Sequence, residues 1–363
     1  MIEQHFGESA VLSVGVEEEV MILDAETLAL APKVELLISE SEKLELPGRL
    51  KTELFASVVE LNTNICDSVG GAHEALSDLR RAAARIADEN GLRIAAVGSH
   101  PFSDPEEQQI AADPRYKEFV GFAGVSARRQ GVSGLHVHVG MPSAEACYAT
   151  LEGILPWLPL VLALSANSPY LAGRATGLAS NRAEVLAQLP RAGAPPAFGS
   201  YEAWEAFVER LIGLGLADDY TRFWWDVRPH PRFGTLEIRM PDQPTGLAVT
   251  AALTALLQAL CASVDTEQAP PAGRGDYAQN RWAALRFGTG AELIHPDGDR
   301  LVRVPELTYE LLELIGPRAE KLGTTGELAA LDATTCEGER QLQIGERDGL
   351  EAVCADLIDR TLG

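Results

Sequence analysis

Apolar and polar positions alternate in several short runs of this chain, and the most instructive is Val14-Gly15-Val16-Glu17-Glu18-Glu19-Val20-Met21-Ile22. Side chains of a strand alternate between faces, so Val14, Val16, Val20 and Ile22 share one face while Gly15, Glu17 and Glu19 share the other. Glu17 and Glu19 therefore project together. Two carboxylates held that close repel, and partial burial adds to the cost, so a cation must lie between them or one must bind a proton. A divalent cation is the simplest answer; a solvated acidic edge strand is the plain alternative. Glu18 alternates with Val16 and Val20, so it faces the apolar side and is expected to form a structural ion pair.

Three later segments share the design. Lys51–Thr63 reads as a strand that carries Glu53 and Glu60; these are an odd number of residues apart, so a bulge or bend must intervene if both aim at one point. In Ser133–Gly140, Leu135, Val137 and Val139 face a core while His136 and His138 face away, and Gly134 and Gly140 are expected to leave room for a ligand. Phe223–Asp242 reads as two strands around a Pro-rich basic connection, the second with Thr235, Glu237 and Arg239 opposite Leu236, Ile238 and Met240.

Elsewhere the spacing predicts helices over Lys33–Glu45, Gly71–Asn90, Ser143–Ala166, Tyr201–Leu214 with Ser200 as N-cap, Thr245–Val264, Glu306–Ile315 and Leu350–Leu362. Leu92–Gly98 reads as a strand and Asp104-Pro105-Glu106 as a helix start, while Tyr116–Gly131 is too mixed to assign. Asn167–Arg182 reads as a loop, and the Pro190–Pro196 segment as an irregular one, either a substrate-facing lid or a linker. There is no internal repeat. One domain spans residues 1–363, with a loop boundary expected, if anywhere, near 267–274.

Composition narrows the function classes. With 46% hydrophobic and 23% charged residues the chain is a globular protein, and a net charge of −23 argues against nucleic acid or an anionic membrane surface as partner. Five cysteines without C-x-x-C spacing read as reduced thiols, and no signal peptide is evident, so a cytoplasmic location is expected. The longest apolar run, near Ile154–Ala166, is broken by Pro156 and Pro159 and is expected to be a buried helix.

Set side by side in one sheet, the four segments would place Glu17, Glu19, Glu60, His136, His138, Glu237 and Arg239 over one face, with Glu53 joining at the bend. Such an oxygen-rich set suits Mg²⁺ or Mn²⁺, and the number of glutamates implies two or more ions. No G-x-x-x-x-G-K-[ST] occurs, nor G-x-G-x-x-G between a strand and a helix, so ATP would be held by metals and arginines on a sheet. Arg228, Arg232 and Arg239 are the natural phosphate partners, and His138 is grouped with them.

VGVEEEV, KTELFASVVELNT, GLHVHVG, RPHPRFGTLEIRMPD and NRWAALRFG together resemble the ordered motifs of the bacterial carboxylate-amine ligases, often called glutamate-cysteine ligase type 2. The resemblance runs from Val14 to about Gly288. It implies an α+β, glutamine-synthetase-like catalytic fold, in which a curved antiparallel sheet carries the active site with helices packed behind it, and a homodimer. By motif position, Glu17, Glu19, Glu53, Glu60, His136 and Glu237 match metal-site residues, and Arg239 matches a phosphate-facing, catalytic arginine. This chain has Ser133 where relatives often carry Cys, and lacks their aromatic-basic pair near Gln188-Leu189. Both departures bear on the choice of amine. The reading is an ATP-dependent ligase that joins a small-molecule carboxylate, the γ-carboxylate of glutamate, to an amine such as cysteine, with Arg182 as candidate for the carboxylate. The alternatives are a metal-dependent amidohydrolase, since H-x-H occurs there too, and a non-catalytic relative that binds nucleotide or metal.

Overall fold

A computed structural model describes residues 2–266 and 272–363. The acidic run forms β1 (Val14–Asp24), followed by β2 (Gly48–Thr52), β3 (Val58–Thr63), β4 (Leu92–Ala95) and β5 (Leu135–Gly140). The short ribbon β6 (Tyr170–Leu171) and β7 (Arg174–Ala175), then β8 (Val227–His230), β9 (Thr235–Ile238), β10 (Glu292–Ile294) and β11 (Leu301–Arg303) complete the strands. Seven strands make the main sheet, in the order β2-β3-β1-β5-β9-β8, with β4 also paired to β1. Every pairing in it is antiparallel. β1 is long enough that its first half pairs β5 and its second half β4, both opposite the edge that pairs β3.

One face of the sheet is apolar and covered by helices. Val14, Val16, Val20, Ile22, Val137 and Ile238 belong to a single buried cluster with Leu76, Leu79 and Ala83 of the helix Val69–Glu89 and Leu253, Leu256 and Leu260 of the helix Leu247–Ser263. Into this apolar layer Glu18 sends its carboxylate, as expected for a structural pair. Both carboxylate oxygens accept from Arg80, at 2.6 and 2.7 Å, and Oε1 also accepts from Thr250 and Gln243. Arg80 donates further to the carbonyls of Pro244, Thr245 and Thr361, so the buried pair ties β1 to three other parts of the chain.

The break expected between Glu53 and Glu60 is a corner, residues 53–57, between β2 and β3. The stretch that resisted assignment holds the helices Pro114–Ala123 and Val125–Arg128, and the Asn167–Arg182 loop holds β6, β7 and the start of a Ser180-capped helix, Asn181–Leu186. Ser200 caps the helix Tyr201–Gly213 through Ala203 N–H. From Thr245 onward the pattern reads as mostly helical, and the helix Arg274–Phe287 agrees with that, whereas the ribbon β10–β11 departs from it. Of the boundary expected near 267–274, residues 267–271 lie outside the described residues. By length and composition Ala144–Ser165 could cross a membrane, but 78% of its apolar window is buried in the fold, as suits a core helix. All five cysteines are unpaired thiols.

Candidate active site

The opposite face of the sheet carries the polar residues in register. In antiparallel pairs, directly opposed residues share a face. One row across the strands reads Arg49, Asn62, Glu17, His136; a second reads Lys51, Glu60, Glu19; a third reads Gly15, His138, Glu237, Arg228. The sheet thus assembles most of the expected set from residues up to about 220 positions apart in the chain.

Glu17 stands at the centre. Its Oε1 accepts from Asn62 Nδ2 at 2.7 Å, its Oε2 lies 3.3 Å from His136 Nδ1, and His138 Nε2 is 3.9 Å from Oε1. Burial pushes the Glu17 carboxyl up, but the two imidazoles outweigh it and hold the group well below the usual carboxylate range. Ligand atoms of Glu17, His138 and Glu237 all lie within 4.8 Å of one another. His138 Nδ1 is 2.9 Å from Thr235 Oγ1, and its Nε2 is buried without a hydrogen-bond partner among the described residues. An imidazole with one nitrogen held by a hydroxyl and the other open toward carboxylates fits a metal ligand. The sequence grouped His136 with the metal residues and His138 with the phosphate-binding ones. The distances instead close a three-ligand set around His138, while His136 sits between Glu17 and Glu19, its Nδ1 3.5 Å from Arg239 Nη1.

Two other carboxylates are strained by proximity. Burial, followed by the charges of Glu19 and Glu60, raises the Glu53 carboxyl to about 8. Burial and then the charge of Glu17 raise Glu60 to about 7, although Lys51 Nζ lies 3.3 Å from it. Protonated carboxyls, or carboxylates that need a cation, are what a divalent-ion site offers before its ion arrives. Glu237 is the opposite case: burial raises it, but Arg228 and Arg239 together hold it well below the ordinary range.

The arginines divide by partner. Arg228 donates to both oxygens of Glu237 and to the carbonyls of Thr221 and Phe223, so it orients Glu237 and has little left for a phosphate, contrary to the expectation. Arg239 also bonds Glu237, at 2.5 Å, and stays partly exposed toward a cavity. Arg232 is exposed on the turn between β8 and β9 and lines a different cavity. Arg182 is buried, donating to the carbonyls of Arg239 and Met240, and faces the same cavity as Arg239.

Those two cavities flank the acidic ridge. The larger, about 550 Å³, lies over Gly15, Glu17, Asn62 and His138 and is rimmed by Arg49, Lys51 and Arg232; its size is that of an ordinary ligand pocket. The smaller, about 140 Å³, is lined by Glu19, Glu53, His136, Arg182 and Arg239, with Phe119 and Trp224 closing its outer side. Leu189, at the position of the missing aromatic-basic pair, lines it too. Ser133 is fully buried, its Oγ without a hydrogen-bond partner among the described residues.

Gly134, just before β5, and Gly140, its last residue, serve neighbours rather than a ligand. A Cβ on Gly134 would lie 2.0 Å from Arg182 Nη2, and Gly134 N–H donates to Glu19 Oε2 at 2.5 Å. A Cβ on Gly140 would lie 2.6 Å from the Ala10 carbonyl, which brings the N-terminal segment over the larger cavity. The Pro190–Pro196 loop is pinned: Gly193 O accepts from Asp226 N–H, and Arg274 bonds the carbonyls of Pro195 and Pro196. Asn62, which holds Glu17, was not singled out in the sequence, although its place two residues after Glu60 was a signal; Gly134, which holds Glu19, was singled out only as room for a ligand.

The model of glutamate-cysteine ligase family 2 matches residues 13–348. A protein of Rubrobacter xylanophilus named "Putative glutamate--cysteine ligase 2-3" is 40% identical over 99% of this chain and its own full length. One of Sorangium cellulosum, named "Putative glutamate--cysteine ligase 2", is 38% identical over 96% of each. Among solved structures, the Francisella tularensis glutamate-cysteine ligase in complex with AMP superposes with a TM-score of 0.70 at 14% identity, covering 98% of this chain and 89% of that one. A bifunctional glutathione synthetase from Pasteurella multocida gives 0.67 at 17%, covering 97% of this chain and 52% of that one. These two share the fold, an antiparallel sheet with helices behind it. With the family model spanning nearly the whole chain and relatives at this identity along all of it, the chain belongs to glutamate-cysteine ligase family 2.

Proposed function

We propose that the protein is an ATP-dependent ligase that joins the γ-carboxylate of glutamate to an amine through an acyl phosphate. The observation that carries this reading is the pair of unequal cavities meeting at the ridge of Glu17, His136 and Glu19. The larger, rimmed by Arg49, Lys51 and Arg232, suits a nucleoside triphosphate; the smaller, with Arg182 and Arg239, suits an amino acid. Family membership supports the same class of reaction, as does the AMP found in the Francisella tularensis neighbour. Two or more Mg²⁺ or Mn²⁺ ions, held among Glu17, Glu19, Glu53, Glu60, Glu237 and the two histidines, would neutralise the triphosphate.

The residues of the chain supply positioning and charge. Arg239 steadies the transferring phosphoryl group, and Glu237 with Arg228 fixes where its guanidinium sits. The carboxylate oxygen attacks the γ-phosphorus and the bond to the β,γ-bridging oxygen breaks, leaving ADP. The amine, having shed one ammonium proton to solvent, then attacks the acyl carbon. The C–O bond to phosphate breaks, and the second proton leaves on hydrogen phosphate.

A screen of amino acids and amines that follows ADP release tests the proposal. Expected products are ADP and phosphate, with glutamate-dependent, amine-independent exchange of ¹⁸O between the bridge and non-bridge positions of labelled ATP. Stoichiometric AMP and pyrophosphate would overturn the mechanism. Hydrolysis of a preformed amide without ATP would favour the amidohydrolase instead.

A further inference from the structure

Four of the five ordered motifs put side chains on the polar face of the sheet, whereas the residues of NRWAALRFG, on and just after the helix Arg274–Phe287, line neither cavity beside the acidic ridge. The motif reaches the site at one remove. Arg281 is buried, and it donates Nε to Asp226 Oδ2 at 2.9 Å and Nη2 to the Ala183 carbonyl at 2.9 Å. Tyr277, one turn earlier on the same helix, donates its hydroxyl to the same Asp226 oxygen at 2.7 Å.

Both partners of Arg281 lead to Arg239. That arginine is the first residue after β9, and its N–H donates to the Asp226 carbonyl at 2.8 Å. Its own carbonyl accepts from Arg182 Nη2 at 3.0 Å, and Arg182 is bonded along the chain to Ala183, whose carbonyl Arg281 holds. The contacts close a ring that runs from Asp226 to Arg281, to Ala183 and Arg182, to Arg239, and back to Asp226. Asp226, Arg281 and Arg182 are all buried. An apolar pair of similar volume is often as stable as a buried ion pair, so stability alone gives little reason for Asp226 and Arg281, whereas a fixed geometry does. Glu237 holds the Arg239 guanidinium separately, so the ring acts on the backbone from which that side chain springs.

Resting on the ligase reading, we propose that Asp226 and Arg281 are positioning residues for Arg239: their ion pair sets where the Arg239 backbone leaves the sheet, and so where its guanidinium meets the phosphoryl group in transfer. Neither lines either cavity, so neither binds a substrate there. A misplacement of about 1 Å at a reacting group costs about 100-fold in rate, so the pair acts on turnover rather than on binding. Tyr277 acts in the same sense and more weakly, because it gives Asp226 one hydrogen bond and no charge.

Positional ¹⁸O exchange in labelled ATP with glutamate, which needs no amine, tests this. In Asp226→Asn the maximal exchange rate should fall by about tenfold or more, while the half-saturating concentrations of ATP and glutamate stay within about twofold. Tyr277→Phe leaves the ion pair in place and so guards against a folding failure; it should lower the maximal rate by about threefold. The discriminating step repeats both substitutions in Arg239→Gln, where the residual rate should stay within about 1.5-fold because the group they position is gone. A role in folding alone would instead lower the rate by the same factor in both backgrounds. That outcome, an unchanged maximal rate in both single variants, or a rise in half-saturating concentrations with the rate kept would overturn the role. The unaltered protein separates the two ideas: exchange with glutamate alongside equal losses in both backgrounds removes this role alone, whereas no exchange with glutamate removes the ligase reading and this role with it.

Discussion

Glu17 and Glu18 are adjacent in sequence and opposite in role, because one peptide step turns a strand side chain from the site face to the core. Glu18 is fully buried against Arg80, and removing one partner of such a pair costs about 3–5 kcal/mol because the other charge is left without its counterpart. Glu18→Gln should therefore lower the melting temperature strongly. Glu17→Gln keeps its shape, and what it loses in pairing with His136 and His138 is offset in part by removing the charge that raises Glu60, so the fold should persist while turnover drops by about 100-fold or more. Isothermal titration with Mn²⁺ distinguishes them. Loss of metal in Glu18→Gln with retention in Glu17→Gln would reverse the two roles.

At the scale of elements, the entry to β5 and the β2–β3 corner each support a prediction. Gly134→Ala would thrust a methyl into the Arg182 guanidinium and disturb the N–H that holds Glu19. The KM for glutamate should rise more than that for ATP, because Arg182 and Glu19 line the smaller cavity and not the larger; an equal rise in both would count against the two-cavity division. The corner packs Glu53 beside Glu60 and Glu19, and its consequence is a pH dependence. Carboxyls raised to about 8 and about 7 bind more protons in the folded, metal-free protein than in the unfolded chain, so their ionisation destabilises the fold as pH rises from about 4.5 through 8. His100 and His230, lowered by burial to about 4 and about 3, act in the opposite sense but only below about 6.5. Between pH 6.5 and 8 the melting temperature of the chelated protein should fall, and the double variant Glu53→Gln, Glu60→Gln should flatten that slope. An unchanged slope in the double variant would contradict the assignment.

For the whole molecule, the same crowding of like charges makes ligands part of the stability. A ligand that binds only the folded state, present at 100 times its Kd, adds about 2.7 kcal/mol. Saturating Mg²⁺ with ATP should raise the melting temperature, and more at pH 8 than at pH 6.5, because metal displaces the protons that Glu53 and Glu60 otherwise hold. No rise with both present would count against the acidic face as a metal site. The Arg80 node carries the core's half of the arrangement: it joins β1, the segment after β9 and the last helix, Leu350–Thr361, so the sheet that aims the site is fastened from behind by the helix Val69–Glu89.

What the sequence determined by itself was the division of each strand into two faces. A period of two is a local property of extended backbone, so Glu17 and Glu19 against Glu18, His136 with His138, and Glu237 with Arg239 could be read before any neighbour was known. The corner between Glu53 and Glu60 followed from the same parity. The ordered motifs carried the family. Strand order, and with it which rows meet, was decided only by the tertiary structure, because pairing joins segments whose separation in sequence carries no local signal. So were the partners that change a residue's role: Arg228 spent on Glu237, Gly134 kept bare for Arg182, and His138 rather than His136 grouped with Glu17 and Glu237. Each of these depends on which side chain arrives from a distant part of the chain and how many donors or acceptors it has left, and no spacing along the chain records that.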